Sequence, residues 1–160
     1  MKVKRIIIHC SDSLWGDVPT IRDWHVNGNG WRDIGYNAVI YNGFQKNSKE
    51  YTPAADGLLV EGRALDFSVN IDMDEVAAHA RGFNRDSIGV CVIGKDTFTD
   101  KQKETLILFC KMWKRIVPDI EIVGHYEVTN SGKTCPNMYM DNVRRVVAES
   151  SIIMPAKYGF

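Results

Sequence analysis

The run SIGVCVIG at residues 87–94 constrains this chain most, because eight consecutive positions carry no charge and a single hydroxyl. A strand with one wet face alternates apolar and polar side chains. An unbroken apolar run suits a strand covered on both faces. Helices must then lie above and below the sheet that holds it, and the rest of the chain has to provide them.

It does so in alternation. VKRIIIHCS (3–11) reads as a first strand, rich in β-branched residues and ended by Ser11, Asp12 and Ser13. PTIRDWHVNGNG (19–30) reads as a short helix with Pro19 near its start and glycines as its stop, with Ile21, Trp24 and His25 on one side. GYNAVIYNG (35–43) is a second strand, with Tyr36 at its start. The polar segment 43–56 is an insertion or long hairpin loop, and DGLLVEGR (56–63) is a return strand. TDKQKETLILFCKMWKRIVP (99–118) is the clearest helix. Thr99 and Gln102 form a capping-box pattern, Leu106, Cys110, Trp113 and Val117 recur at i+3/i+4, and Pro118 follows the end. IEIVG (120–124) is a further strand, and Val143, Val146 and Val147 mark a last helix capped by Asp141. The pattern predicts one α/β domain over residues 1–150, a mixed sheet flanked by helices, with 151–160 as a tail of unreadable structure.

Composition removes several function classes. Twenty basic residues balance twenty acidic ones, so no overall field draws in nucleic acid or an anionic membrane. No window approaches the eighteen or so apolar residues of a bilayer span, and three isoleucines in MKVKRIIIHC are too few for a signal-peptide core. Synthesis in the cytoplasm without a secretory signal is expected, which makes disulfides unfavourable for the four cysteines. Cys91 and Cys110 read as small core residues.

Cys135 is different, since it lies in the polar stretch GHYEVTNSGKTCP (124–136) ten residues after His125. His125 follows the strand IEIVG directly, and His9 ends the strand IIIHCS. Ligands collect outside the carboxyl ends of strands in open α/β sheets, so His9, His125 and Cys135 can converge on one metal. Three N/S ligands with a fourth position left for water describe a catalytic zinc, and four describe a structural one. Cys10 should face away from His9 on the strand, which disfavours it as the fourth. The spacing is not that of a compact CxxC finger. It leaves open hydrogen-bonded histidines at strand ends, and a thiol hydrolase with Cys135 as nucleophile and His125 as base.

Four blocks occur together: HCS (9–11), GWRDIGYNAVI (30–40), AHARGFNRDSIGVCVIG (78–94) and GHYEV…KTCP (124–136). In order and spacing they resemble the zinc-dependent N-acetylmuramoyl-L-alanine amidases, the type shared by short phage lysozymes and peptidoglycan recognition proteins. The resemblance spans roughly residues 5–147 and is weakest over 43–77. It implies that His9, His125 and Cys135 bind one Zn2+ and that Tyr36 and Lys133 are the catalytic helpers. It also implies that His79 and Asn84 lie near a substrate groove. Asn37 is a departure, since family members often carry His after the GY. Asn37 is assigned to substrate contact together with Trp31 and Arg63, and Trp15 also suits such a groove.

The implied substrate is peptidoglycan, cut between N-acetylmuramic acid and L-alanine. Two neutral imidazoles and one thiolate leave zinc a net positive charge that lowers the pKa of a bound water toward about 7. Lys133, two residues before Cys135, can stabilise charge building on the amide oxygen, and Tyr36 can orient the attacking water or pass a proton. His25 is assigned to packing beside Trp24. The chain is expected to be a monomer without nucleic-acid or membrane partners, acting on the wall after release, like a compact phage or prophage endolysin. A non-catalytic peptidoglycan-binding or partner-regulating module on the same fold is the alternative.

Overall fold

A computed structural model describes residues 1–129 and 132–149. The tail 151–160 lies outside the described residues, as do 130, 131 and 150. The strands are β1 (Arg5–Cys10), β2 (Ala38–Asn42), β3 (Asp56–Glu61), β4 (Ser87–Val92) and β5 (Glu121–Gly124). The helices are α1 (Val18–Asp23), α2 (Asp100–Ile116), α3 (His125–Val128) and α4 (Met140–Ala148). A π-helical turn (Trp24–Gly28) extends α1, and a 3-10 turn (Asn84–Asp86) leads into β4.

The five strands form one mixed sheet in the order β3-β2-β4-β1-β5. β4 is central, parallel to β1 and β2, while β3 runs antiparallel at the edge. All six β4 residues are buried, as an apolar strand covered on both faces requires. On one face, Ile6, Ile8, Ile40, Ile88, Val90 and Val92 pack beneath α2 and α4. On the other, Val39, Tyr41, Cys91 and Ile93 meet Val18 and Ile21 of α1. Neighbours in sequence alternate between the two cores, the period-two signature of a strand.

Helix α2 forms where its caps and stripe predict. Thr99 Oγ1 accepts the Gln102 backbone N–H at 3.1 Å, and Gln102 Oε1 accepts the Thr99 N–H at 3.0 Å. Leu106, Cys110 and Trp113 are fully buried, and Val117 is nearly so. Gln102 does a second job: its Nε2 donates to the carbonyls of Ile93 (2.8 Å) and Ile40 (3.2 Å), tying the helix start to the sheet.

Two boundaries differ from the sequence reading, while the 43–56 segment is the long hairpin loop expected. β2 begins at Ala38 rather than at Tyr36; the Tyr36 and Asn37 carbonyls still accept from Arg63 and Gly62 just past the ladder. Tyr139, not Asp141, occupies the cap position of α4; Asp141 lies in the first turn, where it pairs with Arg144 at 2.6 Å. The 43–56 segment is a loop folded on itself, with Thr52 N–H on Gly43 O (2.8 Å) and Tyr51 Oη on Asp56 (2.9 Å).

Candidate active site

Strand register brings the first two candidate ligands together. β1 and β5 are parallel with Ile8 opposite Gly124, so the next residue of each chain segment emerges on the same edge of the sheet. Those residues are His9 and His125, and their ring centroids are 4.5 Å apart. Beyond α3 the chain returns, and the Tyr126 N–H donates to Cys135 O at 2.9 Å, pinning the third candidate beside the pair. Cys135 Sγ lies 4.0 Å from His9 Nδ1. One ligand atom from each of His9, His125 and Cys135 lies within 4.8 Å of the others, and among the described residues this is the one such His/Cys/Asp/Glu group.

The donor set fits a zinc ion. Zn–N bonds of about 2.0–2.1 Å and a Zn–S bond of about 2.3 Å in a tetrahedron place donors roughly 3.5 Å apart, so small side-chain adjustments close the set. All three residues line one cavity of about 530 Å3, which leaves a fourth direction facing open space. Cys10 does not join the group. It is buried, its backbone N–H donates to Cys135 Sγ (3.4 Å), and its sulfur sits 3.8 Å from Asn137 Nδ2; the Cys10 side chain and then burial hold the Cys135 thiol well above its ordinary value.

Electrostatics keep the imidazoles neutral, the state in which they ligate metals. Burial lowers His9 well below its ordinary value, with His79 and His125 adding to the effect. Burial and the Lys133 ammonium lower His125. Lys133 is exposed at the cavity rim, and Trp31 lines the same cavity. Tyr36 lines it from below with its ring centroid 5.2 Å from that of His9. Burial and the nearby sulfurs of Cys91, Cys135 and Cys10 hold the phenol well above its ordinary value, so it is a hydrogen-bond donor at neutral pH.

The remaining candidates have other partners. Asn37 is fully buried, with Nδ2 on Glu75 O (2.7 Å) and Oδ1 accepting the Gly89 N–H (2.9 Å), so it is a brace between segments. Arg63, also buried, donates to the carbonyls of Ile34 (2.7 Å) and Val76 (2.6 Å). Asn84 Oδ1 accepts the N–H groups of His79 (3.0 Å) and Ala80 (2.8 Å) and holds that turn. His79 touches the cavity, but it is buried and hydrogen-bonded to His9, so its ring is occupied. Trp15 packs edge-on against Trp24, 5.5 Å between centroids, outside the cavity wall. His25 packs as expected, though against Trp31 (4.6 Å) and Tyr36 (5.4 Å), and its Nδ1 accepts the Gly35 N–H at 2.9 Å. Sequence reasoning passes over Ser87, which sits behind His79, and Asn137, which lines the cavity and donates to Lys95 O (2.6 Å); neither carries a motif signal.

The family model described as N-acetylmuramoyl-L-alanine amidase matches residues 1–138. The endolysin of Enterobacteria phage K11 is 27% identical over 147 residues, covering 85% of this chain and 82% of that protein. The endolysin of Escherichia phage T7 is 29% identical over 143 residues, covering 82% and 79%. Among solved structures, the amidase LysC from Clostridium intestinale URNW superposes with a TM-score of 0.70 at 19% identity, over 91% of this chain and 85% of that one. A mutant of Drosophila PGRP-LB in complex with tracheal cytotoxin gives 0.64 at 17%, over 88% and 80%. At these identities the structural likeness speaks for the fold.

Proposed function

This chain belongs to the N-acetylmuramoyl-L-alanine amidase family, and from that premise we propose that it works with one zinc ion held by His9, His125 and Cys135. It is an amidase of peptidoglycan, hydrolysing the bond between N-acetylmuramic acid and L-alanine, as its endolysin relatives and family match support. The match is to an enzyme family, and the non-catalytic reading is not favoured. No described helix is long and apolar enough to cross a membrane.

The single observation that carries the zinc reading is the convergence of two imidazoles and one sulfur within 4.8 Å on the wall of a cavity. A zinc ion held there supplies Lewis-acid polarisation of the amide carbonyl and a water acidic enough to attack at neutral pH. The chain's own residues do the rest. Lys133, at the rim, places a cation where negative charge grows on the amide oxygen. Tyr36 lines the cavity beside His9 with a phenol that stays protonated at neutral pH, suited to orienting the attacking water or donating to the substrate. Trp31 offers an aromatic face at the mouth against which a sugar or stem peptide can rest.

Purified cell walls and elemental analysis test this together. The expected result is one zinc per chain, release of stem peptide from the walls, loss of release on chelation with recovery on adding zinc, and loss of both zinc and release in Cys135→Ser. Release that survives both chelation and Cys135→Ser overturns the zinc reading.

A further inference from the structure

We propose that His79 is a positioning residue that fixes the tautomer of His9, aiming the unprotonated Nδ1 of His9 at the metal position. The inference rests on the zinc reading above, and it is carried by a hydrogen-bond chain whose direction is forced from its far end.

That end is the carbonyl of Phe83, which can only accept. Ser87 Oγ lies 2.6 Å from it and donates its one proton there. The Ser87 oxygen is then left to accept, and its remaining partner is His79 Nε2 at 3.2 Å. His79 therefore carries its proton on Nε2. A neutral imidazole has one proton, so His79 Nδ1 is an acceptor. It faces His9 Nε2 at 3.0 Å, which must be the donor. The proton of His9 is thus held on Nε2, and the lone pair of Nδ1 is left on the side of Cys135, 4.0 Å away. Zinc ligation requires that lone pair. The chain sets it without any charged group, since His9, His79 and Ser87 are buried and burial favours neutral imidazoles.

Two further features show that the fold is built to hold this ring. The Cα of Gly89 on β4 carries no side chain where His79 lies flat against the strand; a Cβ there would stand 2.5 Å from the ring carbons. From the other side, Asn84 Oδ1 clamps the backbone N–H groups of His79 and Ala80, fixing the turn from which the ring projects. A ring held for substrate contact needs a nitrogen turned to the cavity. Both nitrogens of His79 are already committed.

The test has two independent readouts. In metal-free, 15N-labelled protein at pH 7.5, long-range 1H–15N correlations assign the proton of each ring. Both His9 and His79 are expected as the Nε2–H tautomer, and a predominant Nδ1–H form at His9 overturns the proposal. Zinc affinity, measured by competition with a chromogenic chelator, is the second readout. His79→Leu is expected to weaken it about 10–100-fold, the usual range for partners behind a metal ligand. His79→Asn, smaller than His but with an amide oxygen near the former Nδ1, is expected to recover most of that loss. A Leu variant binding zinc as tightly as wild type, or an Asn variant no better than Leu, overturns the proposal. Wild-type protein that binds no zinc overturns the underlying zinc reading instead. Should Leu prevent folding, the tautomer assignment in the wild-type protein still decides.

Discussion

The Gly89→Ala variant puts the packing behind the site under direct strain. The added methyl would meet His79 Cγ and Cδ2 at 2.5 Å and Nδ1 at 2.9 Å, where ordinary contact begins near 3.4 Å. The ring must retreat by about 1 Å, and it has two hydrogen bonds of 3.0 and 3.2 Å to lose by doing so. A displacement of that size takes either bond beyond useful length. Each contributes about 1 kcal/mol, and overpacking a tight core adds about 1–3 kcal/mol. The expected destabilisation is therefore about 3–5 kcal/mol. With a urea dependence of about 2 kcal/mol per molar, the unfolding midpoint should fall by roughly 1.5–2.5 M. The assay is urea unfolding of metal-free protein followed by far-ultraviolet circular dichroism. Gly28→Ala is the matched control: nothing lies within 4 Å of its Cβ position, so the midpoint should hold or rise by the equivalent of up to about 1 kcal/mol. A Gly89→Ala midpoint equal to wild type, or an equal fall in both variants, would refute the packing argument.

Lys133→Ala should lower kcat on a soluble muramyl peptide about 100–1000-fold while leaving zinc content unchanged; an unaltered kcat removes Lys133 from the reaction. Gln102→Leu should cost about 2–3 kcal/mol in urea unfolding, because the Ile93 carbonyl and Thr99 N–H lose buried partners; a cost under about 0.5 kcal/mol contradicts that accounting. His25 should titrate below the ordinary imidazole value of about 6.5, since burial and then Arg63 disfavour its charged form. The unfolded chain then takes up that proton first, so His25 draws stability down as pH falls below about 6.5. An NMR titration midpoint at or above about 6.5, or a pH dependence of stability unchanged in His25→Gln, would contradict this.

Much of this protein follows from sequence alone, for reasons local to each segment. The apolar run 87–94 had to be a strand covered on both faces, and β4 is central and buried throughout. Thr99, Gln102 and the stripe through Trp113 define α2, since caps and periodicity act within a few residues. The candidate ligand types were legible too, because His9, His125 and Cys135 stand at strand ends and in a polar loop. Long-range geometry was not legible. The pairing of Ile8 with Gly124 puts His9 beside His125, and only the assembled sheet sets that register. Nor can a residue type reveal what faces it. Asn37 and Arg63 read as groove residues, yet burial turns each toward a partner inside the fold, and His79, at the cavity as read, spends its nitrogens on His9 and Ser87, since a buried polar group left unpaired costs more than the hydrogen bond that satisfies it.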